Sequence, residues 1–221
     1  MKKGVLLVAD GNEGAGKTTI LNWLYETLKQ QMGDGMVILT RQPGGTPLGA
    51  KIRSLLMTAD PTMEISEVAE LLLFCADRAN HCDTVIRPAL EAGKVVLCDR
   101  FDSSTIAHQI FGRMRHEYLD AFKMINAFAR GAGSGGEIMP DMTLFFDVEF
   151  ERGLDRVRAR NDGLTKFDAE EHAFHRRVYE GFQSQLAANA TTWTRIDANP
   201  ASEVVKTQAW AVVSEFLGIQ G

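Results

Sequence analysis

Hydrophobic and polar positions divide the chain into two kinds of segment that alternate. Five short apolar runs, rich in residues that favour strands, lie at 5–9, 36–40, 94–98, 142–147 and 193–196. Longer segments whose apolar positions recur at helical spacing lie at 19–31, 65–92, 104–130, 149–160, 169–188 and 201–217. Strands that alternate with helices are typical of βαβ units. The pattern therefore predicts an α/β fold in which a five-stranded parallel sheet is sandwiched by helices.

A glycine-rich loop follows the first of these runs. Residues 11–18 read Gly-Asn-Glu-Gly-Ala-Gly-Lys-Thr and fit the pattern G-x-x-x-x-G-K-[ST] between a strand and a helix. Glycines let the backbone turn so tightly that its N–H groups converge on phosphate oxygens. Lys17 is expected to reach the β and γ phosphates, and the hydroxyl of Thr18 to bind Mg²⁺. The loop predicts a bound nucleoside triphosphate but leaves open the reaction in which that nucleotide is used.

Charged residues after the second and third runs indicate the reaction. Asp99 ends an apolar strand, the position of a carboxylate that helps to hold Mg²⁺ beside such a loop. Arg41 and Arg100 follow strands and can face the loop from one side, where two guanidinium groups suit a second anion. Many ATP-driven motors carry a second acid at the position of Arg100, and the chain has no Asn-Lys-x-Asp motif for guanine. These two features disfavour motor ATPases and GTPases.

Phe74 and Arg78 lie four residues apart in a helical segment, which places them on one face. Phe74 alone would be interpreted as a core residue. An aromatic ring beside a guanidinium group can instead bind a nucleobase by stacking and by hydrogen bonds to its edge. The pair therefore predicts a base-binding end of the site.

Composition narrows the classes of partner. The net charge is −5 and no long basic run occurs, so no nucleic-acid surface is predicted. No apolar segment approaches the length of a membrane span, and the run at 5–9 is too short for a signal peptide, so no membrane partner is expected.

Cys75, Cys82 and Cys98 are odd in number and spaced unlike zinc ligands, which indicates free thiols in a reducing cytoplasm. We expect one domain over 1–221, with a short lid at about 156–168.

Four segments, in order and at matching spacing, resemble the signature segments of thymidylate kinases. They are Thr-Arg-Gln-Pro-Gly-Gly-Thr at 40–46, Phe-Cys-Ala-Asp-Arg-Ala at 74–79, Asp-Arg-Phe-Asp-Ser-Ser-Thr-Ile-Ala-His-Gln at 99–109, and Asp-Met-Thr-Leu-Phe-Phe-Asp-Val at 141–148. The similarity covers roughly residues 5–217. It implies the nucleoside monophosphate kinase variety of the P-loop NTPase fold, commonly as a homodimer. The implied activity is transfer of the γ-phosphoryl group of ATP to dTMP, giving dTDP and ADP, in dTTP synthesis.

The resemblance also implies roles for single residues. Arg41 and Arg100 would grip the acceptor phosphate, Phe74 would stack on thymine, and Arg78 and Gln109 would read the edge of the base. Glu13 would approach the sugar 3′-hydroxyl, and Arg156 would lie against adenine with Asn199 nearby. The remaining residues implied are Asp10, Ser104 and His108 on the acceptor side, and Gly11, Asn12, Gly14, Ala15, Gly16 and Thr19 on the ATP side.

The implied catalytic residues are Lys17, Arg100, Glu13 and an arginine of the lid. Relatives carry a catalytic arginine either in the phosphate loop or in the lid, and Gly14 in the loop points to the second type. Arg160 is the lid residue that this assignment nominates. An arginine on a lid delivers its charge only when the substrates are bound.

The sequence departs from the family pattern at three places. Gln42 stands where relatives mostly have Glu, His108 where a Tyr commonly precedes the Gln, and Thr-Lys-Phe-Asp at 165–168 where the lid commonly reads Asp-Arg-x-Glu. These changes leave open a kinase for another pyrimidine deoxynucleotide, such as dUMP or a 5-modified dUMP. A non-catalytic, nucleotide-dependent switch protein is the other alternative. The sequence also leaves the isomer of the Gln42–Pro43 bond open, although a tight turn there would suit the cis form.

Overall fold

The computed structural model describes residues 4–58, 62–131, 135–159, 166–168 and 170–219. Its centre is a five-stranded sheet with strand order β2-β3-β1-β4-β5, in which every neighbouring pair is parallel. The strands are β1 (Val5–Gly11), β2 (Val37–Arg41), β3 (Val95–Asp99), β4 (Met142–Asp147) and β5 (Trp193–Asp197). The predicted sheet is confirmed, and each strand begins and ends within two residues of its predicted bounds.

Helices cover the sheet. They are α1 (Lys17–Met32), α2 (Pro47–Met57), α3 (Glu67–His81), α4 (Arg87–Glu91), α5 (Asp102–Thr105), α6 (Leu119–Ala129), α7 (Phe150–Arg158), α8 (His172–Ala188) and α9 (Ser202–Leu217). Two π-helical stretches, Cys82–Ile86 and Ile106–Gly112, continue α3 and α5, and a 3₁₀ turn at His116–Tyr118 precedes α6. No helix within the described ranges is both long and apolar enough to cross a membrane.

The core lies on both faces of the sheet, because parallel strands that carry helices on each side are buried on each side. In β1, Leu7 packs with Leu24 and Val213 under α1 and α9, whereas Leu6 packs with Ile86 on the opposite face. Both faces of β1 are therefore apolar, which explains why the sequence shows a continuous run there instead of alternation.

Two predicted helices and one loop differ from the structure. The predicted helix at 104–130 is wrong as a single element, because the chain leaves the π-helical stretch after Gly112 and Met114 adopts a left-handed backbone with φ 55°. The segment 65–92 is continuous helical structure, but its middle turn is π-helical. Helix α2 was not predicted. Its Thr46 side chain caps the Gly49 N–H and Pro47 occupies the first turn, both of which are start signals for a helix.

The register of the sheet brings the charged strand ends together. Arg41 of β2 and Ala9 of β1 both pair with Asp99 of β3. The residues that follow these positions therefore emerge at one edge of the sheet, where ligands bind in folds of this kind.

Candidate active site

A cleft of about 550 Å³ opens at this edge of the sheet. Most of the residues that the sequence nominated line it: Glu13, Gly14, Gly16, Lys17, Thr18, Thr19, Arg41, Phe74, Arg78, Asp99, Arg100, Ser104, His108, Gln109 and Arg156. Gly11, Asn12 and Ala15 belong to the same loop and are buried beneath it. Arg160 and the rest of the predicted lid between 160 and 165 lie outside the described residues.

The phosphate loop packs against helix α7. Gly14 and Gly16 have φ values of 72° and 77°, which favour glycine, and α1 begins directly after them. A Cβ on Gly14 would lie 2.1 Å from the carbonyl oxygen of Gly153, and a Cβ on Gly153 would lie 2.8 Å from the carbonyl oxygen of Glu13. The two glycines therefore allow the loop and α7 to touch through their backbones.

Lys17 is held inside the loop. Its ammonium group donates hydrogen bonds to the carbonyl oxygens of Gly11 at 2.9 Å and Asn12 at 2.6 Å. Burial and the nearby charge of Arg100 lower the pKa of Lys17 to about 8, although Glu13 opposes this shift. A positive charge is thus placed under the loop, where it can meet phosphate oxygens.

Thr18 and Asp99 supply oxygen atoms suited to Mg²⁺. The Thr18 hydroxyl donates a hydrogen bond of 2.8 Å to Asp99 Oδ2, so the two candidate ligands already lie side by side. No cluster of three or more His, Cys, Asp or Glu side chains that could hold a metal occurs in the described ranges. Mg²⁺ at kinase sites needs only one or two protein oxygens besides water and phosphate, so this pair fits the ion.

Three arginines, Arg41, Arg53 and Arg100, line the same cleft as the loop. Arg41 ends β2, Arg100 follows β3, and Arg53 comes from α2, where it donates a hydrogen bond of 3.1 Å to the Pro43 carbonyl. Burial and the charges of Arg41 and Arg100 lower the pKa of Arg53. Guanidinium groups gathered in this way make a site for an anion with several oxygens.

Arg100 is fixed by acidic residues beneath and beside it. It adopts a left-handed backbone with φ 69°, and its guanidinium donates to Glu13 Oε1 at 2.6 Å and to the Ser104 hydroxyl at 2.9 Å. Asp10, which is fully buried, accepts hydrogen bonds from the hydroxyls of Ser103 and Ser104. Asp10 therefore supports the acceptor side of the cleft from behind and does not line it.

Glu13 connects the phosphate loop to His108. Burial opposes its ionisation, but the charges of Arg100 and His108 hold the pKa of Glu13 well below its ordinary value. His108 Nδ1 lies 2.8 Å from the Ser104 carbonyl oxygen, and Nε2 lies 3.1 Å from Glu13 Oε1. Both ring nitrogens of His108 thus face oxygen atoms, one of a backbone carbonyl and one of the Glu13 carboxylate. The residue that departs from the family pattern thus orients the acid of the phosphate loop.

The far end of the cleft is aromatic. The Phe74 ring lies 6.1 Å from the Phe167 ring, and Phe167 lies 5.9 Å from the imidazole of His108. All three residues line the cleft. An apolar wall of this kind suits the face of a nucleobase.

Arg78 is 1% exposed and is anchored by four hydrogen bonds. It donates to Gln42 Oε1 at 3.1 Å, Asn126 Oδ1 at 3.0 Å, Thr105 Oγ1 at 2.8 Å and the Phe101 carbonyl at 3.3 Å. A guanidinium only donates hydrogen bonds, so these four acceptors fix its position and its polarity.

Gln42 joins Arg78 to a neutral histidine. Burial and the charge of Arg78 lower the pKa of His81 to about 4, so His81 is uncharged near pH 7. The Gln42 amide nitrogen then donates to His81 Nδ1 at 2.9 Å, and His81 Nε2 donates to the Thr40 hydroxyl at 2.7 Å. Gln42 therefore keeps a hydrogen bond to Arg78 without a carboxylate charge, and the bond from Gln42 to Pro43 is cis.

Arg156 bridges the phosphate loop and the loop after β5. It donates to the carbonyl oxygens of Gly14 at 3.2 Å, Ala198 at 2.9 Å and Asn199 at 3.2 Å. Asn199 in turn accepts a hydrogen bond from the Glu149 N–H at 2.9 Å. These contacts fix the outer side of the phosphate loop, where the resemblance predicts adenine.

Among the lining residues that were not nominated from the sequence are Arg53 and Phe167. The start signals of α2 would have indicated a helix carrying Arg53 back towards Arg41. For Phe167 the sequence held no comparable signal, because a single aromatic residue next to a polar break is equally compatible with the core.

Comparisons with known proteins identify the family of the chain. The thymidylate kinase family model matches residues 9–209. Thymidylate kinases of Trichodesmium erythraeum and of Synechococcus sp. (strain JA-2-3B'a(2-13)) are 41% and 42% identical, covering 97% and 96% of this chain and 96% of each relative. The crystal structure of thymidylate kinase from Ehrlichia chaffeensis superposes with a TM-score of 0.75 at 28% identity, covering 96% of this chain and 99% of that one. The chain belongs to the thymidylate kinase family.

Proposed function

We propose that the protein transfers the γ-phosphoryl group of ATP to dTMP, giving dTDP and ADP. The observation that carries the proposal is the arrangement of two anion-binding groups in one cleft. The phosphate loop with Lys17 and the guanidinium groups of Arg41, Arg53 and Arg100 line the same cleft. A kinase for a phosphorylated acceptor must hold two anions in line, and this arrangement suits that task.

On the donor side, the loop N–H groups and Lys17 hold the ATP phosphates, and Arg156 with Asn199 forms the wall for adenine. Thr18 and Asp99 hold Mg²⁺ through their oxygen atoms. When bound, the ion neutralises charge on the phosphate oxygens. Support for these assignments is the 2.8 Å contact between the two candidate ligands and the placement of Lys17 within the loop.

On the acceptor side, the three arginines bind the dTMP phosphate and Phe74 stacks on thymine. Glu13 accepts a hydrogen bond from the sugar 3′-hydroxyl, since Arg100 and His108 both bond to its Oε1 and leave Oε2 for the substrate. Phosphoryl transfer depends mainly on positioning and on neutralising charge, so none of these groups has to act as a base.

Arg160 completes the proposed catalytic set from the lid, and this role rests on the resemblance alone. If Arg160 supplies charge to the transition state, Arg160→Ala should lower kcat by about 100-fold or more and change the Kd of ATP by less than about threefold. Arg158→Ala, an exposed arginine two residues away, is the matched control. An unchanged kcat in Arg160→Ala would remove this residue from the catalytic set.

We further propose that the protein is a homodimer that works in the cytoplasm. Helices α2, α3 and α6 pack in a row and carry exposed apolar side chains: Leu48, Leu55, Val68, Leu72, Met124 and Phe128. A second copy would cover this surface, since monomers rarely expose so many large apolar groups together. The three cysteines are free and buried, which suits a reducing compartment.

A coupled assay of ADP release tests the activity. The acceptors to compare are dTMP, dUMP, 5-substituted dUMPs, dCMP, dGMP, UMP and thymidine, each at equal concentration with ATP and Mg²⁺. We expect dTMP to be the fastest and thymidine to be nearly inactive, because thymidine lacks the phosphate that the arginines bind.

Two results would contradict the proposal. ADP release at the same rate without any acceptor would mean that the protein only hydrolyses ATP. Faster turnover of a 5-substituted dUMP than of dTMP would mean that the pocket accepts a different base. Asp99→Asn is the control variant, because it should remove the metal-dependent rate with every acceptor.

A further inference from the structure

Glu70, on α3, lies behind the base end of the cleft and was not nominated from the sequence. Its side chain is 2% exposed. The carboxylate accepts hydrogen bonds from the Gln109 amide nitrogen at 3.2 Å, from Lys166 Nζ at 3.0 Å and from Arg113 Nε at 3.4 Å. Arg113 is also paired with Glu170 at 2.6 Å. A buried acid thus contacts Gln109, one of the residues that line the cleft.

The charge of Glu70 fixes which end of the Gln109 amide faces it. Burial alone would favour the neutral acid, but Arg113, Lys166 and the hydrogen bond from Gln109 lower the pKa of Glu70. An ionised carboxylate only accepts hydrogen bonds. The amide nitrogen of Gln109 must therefore point to Glu70, and the amide oxygen is at the other end of the group.

We propose that Glu70 is a positioning residue for base specificity, which orients the Gln109 amide so that its oxygen is the atom offered to the acceptor base. The proposal rests on the proposed function, in which Phe74, Arg78 and Gln109 surround thymine. Arg78 contributes a fixed polarity of its own, since a guanidinium only donates hydrogen bonds. The base end is then lined by one acceptor, Gln109 Oε1, and by the guanidinium of Arg78, which can only donate.

This polarity matches thymine and opposes cytosine. Thymine carries an N3–H donor next to the O4 acceptor, whereas cytosine carries an N3 acceptor next to the N4 amino donor. Uracil has the same donor and acceptor groups as thymine at these positions. Orientation of the amide by Glu70 should therefore discriminate against dCMP and should not affect the choice between dTMP and dUMP.

The test compares ratios within one enzyme preparation. For wild type and Glu70→Gln, kcat/KM is measured for dTMP and dUMP, and the inhibition constant of dCMP is measured by competition against dTMP. A neutral amide at position 70 can accept or donate, so Gln109 becomes free to turn. We expect the preference for dTMP over dCMP to fall by about tenfold or more, as for loss of one buried, charge-assisted hydrogen bond. The ratio of dTMP to dUMP should stay within about twofold.

Glu170→Gln is the matched control, because it removes a carboxylate from the same arginine without touching Gln109. It should leave both ratios at their wild-type values. In a Gln109→Leu background, Glu70→Gln should cause no further change in the dCMP ratio, because the group it orients is gone. A dTMP-to-dCMP ratio in Glu70→Gln that equals the wild-type ratio would overturn the proposal.

Ratios of kinetic constants distinguish an error in this proposal from unfolding of the variant and from failure of the proposed function. The preference for dTMP over dCMP is taken as the ratio of the dCMP inhibition constant to the dTMP KM, and the preference for dTMP over dUMP as a ratio of two kcat/KM values. Neither ratio depends on the folded fraction of the enzyme, so partial unfolding cannot imitate the result. If Glu70→Gln does not fold, Glu70→Asp tests the same point, since the shorter side chain keeps its charge and cannot reach Gln109. Failure of the proposed function itself would appear in the wild type as lack of dTMP phosphorylation.

Discussion

Among single residues, Arg53 tests the acceptor-phosphate site most directly, because only the fold brings it next to Arg41 and Arg100. We expect Arg53→Ala to raise the KM for dTMP by roughly 10- to 100-fold, the cost of a lost charge-assisted hydrogen bond, and to leave the KM for ATP within about threefold. Arg53→Lys should recover only part of the loss, because an ammonium group cannot form paired bonds to phosphate. Steady-state kinetics with each substrate varied in turn gives both constants.

Arg195→Ala serves as the control for this prediction, since Arg195 is 55% exposed on β5 and pairs with Asp147. It should behave like the wild type. A dTMP KM that is unaffected in Arg53→Ala would mean that this guanidinium does not contact the acceptor.

The lowered pKa of Lys17 predicts that kcat/KM for ATP depends on pH. Its pKa lies near 8, so the ammonium is charged below that pH and loses its proton as the pH rises through it. We expect kcat/KM for ATP to fall by roughly tenfold or more between pH 7.5 and 9.5, since this constant reports the free enzyme. Initial rates at low ATP and saturating dTMP measure it.

The rate at saturating ATP should fall less over the same range, because bound phosphate groups favour the charged lysine. A profile of kcat/KM that is flat to pH 9.5 would contradict the prediction.

At the scale of elements, the close contact between α7 and the phosphate loop can be tested by adding one methyl group at Gly153. A Cβ on Gly153 would lie 2.8 Å from the Glu13 carbonyl oxygen and 3.0 Å from Val148 Cγ1. Overpacking of this kind costs about 1–3 kcal/mol, which outweighs the gain of up to about 1 kcal/mol from alanine in a helix. We expect Gly153→Ala to lower the Tm and to raise the KM for ATP several-fold, as measured by thermal denaturation and kinetics.

Asp155→Ala provides the comparison on the same helix, because Asp155 is 74% exposed. It should change neither quantity. An unchanged Tm in Gly153→Ala would show that α7 can move away from the loop without cost.

The strands could be predicted because each is a short, continuous apolar run. A strand buried between two layers of helices needs apolar residues on both faces, and such a run is visible in the local composition. Helix α2 was missed although its start signals are present, since Gly49, Lys51 and Arg53 interrupt its apolar spacing. The break after Gly112 was missed for the opposite reason: apolar residues Ile110, Phe111 and Met114 continue the spacing through it. A left-handed Met114 depends on packing, which periodicity does not describe.

The site was predictable to the extent that its residues follow strands or lie in motifs. Lys17, Asp99 and Arg100 are of this type, because the end of a parallel strand determines the edge of the sheet where a residue emerges. Glu70 and Phe167 contribute from elements distant in sequence. Their positions depend on how α3 and the 166–168 turn pack around the cleft, and no spacing in the sequence encodes that.

For the whole molecule, the exposed apolar surface of α2, α3 and α6 predicts the oligomeric state. Phe128 is 75% and Met124 is 71% exposed, four residues apart on α6. We expect light scattering during size-exclusion chromatography to give twice the chain mass of 24.4 kDa for the wild type and the chain mass itself for Phe128→Lys. A buried lysine without a partner is costly at an interface, which is why one substitution should suffice.

Phe216→Lys is the control, because Phe216 is also exposed but lies on α9, outside this surface. It should remain dimeric. A monomeric wild type at micromolar concentration would contradict the homodimer.

The backbone contact between Gly14 and Gly153 also constrains the evolutionary routes open to this enzyme. An arginine at position 14 would need a left-handed backbone and would place its Cβ 2.1 Å from a carbonyl oxygen of α7. If Arg160 supplies the catalytic charge from the lid, as proposed above, moving that charge into the phosphate loop requires α7 to withdraw first. A chain with an arginine at position 14 but an unchanged α7 would be destabilised by the clash, and a chain with only a displaced α7 would lose its contact with the phosphate loop. We therefore expect the catalytic arginine to move between lid and loop only when positions 14 and 153 change together.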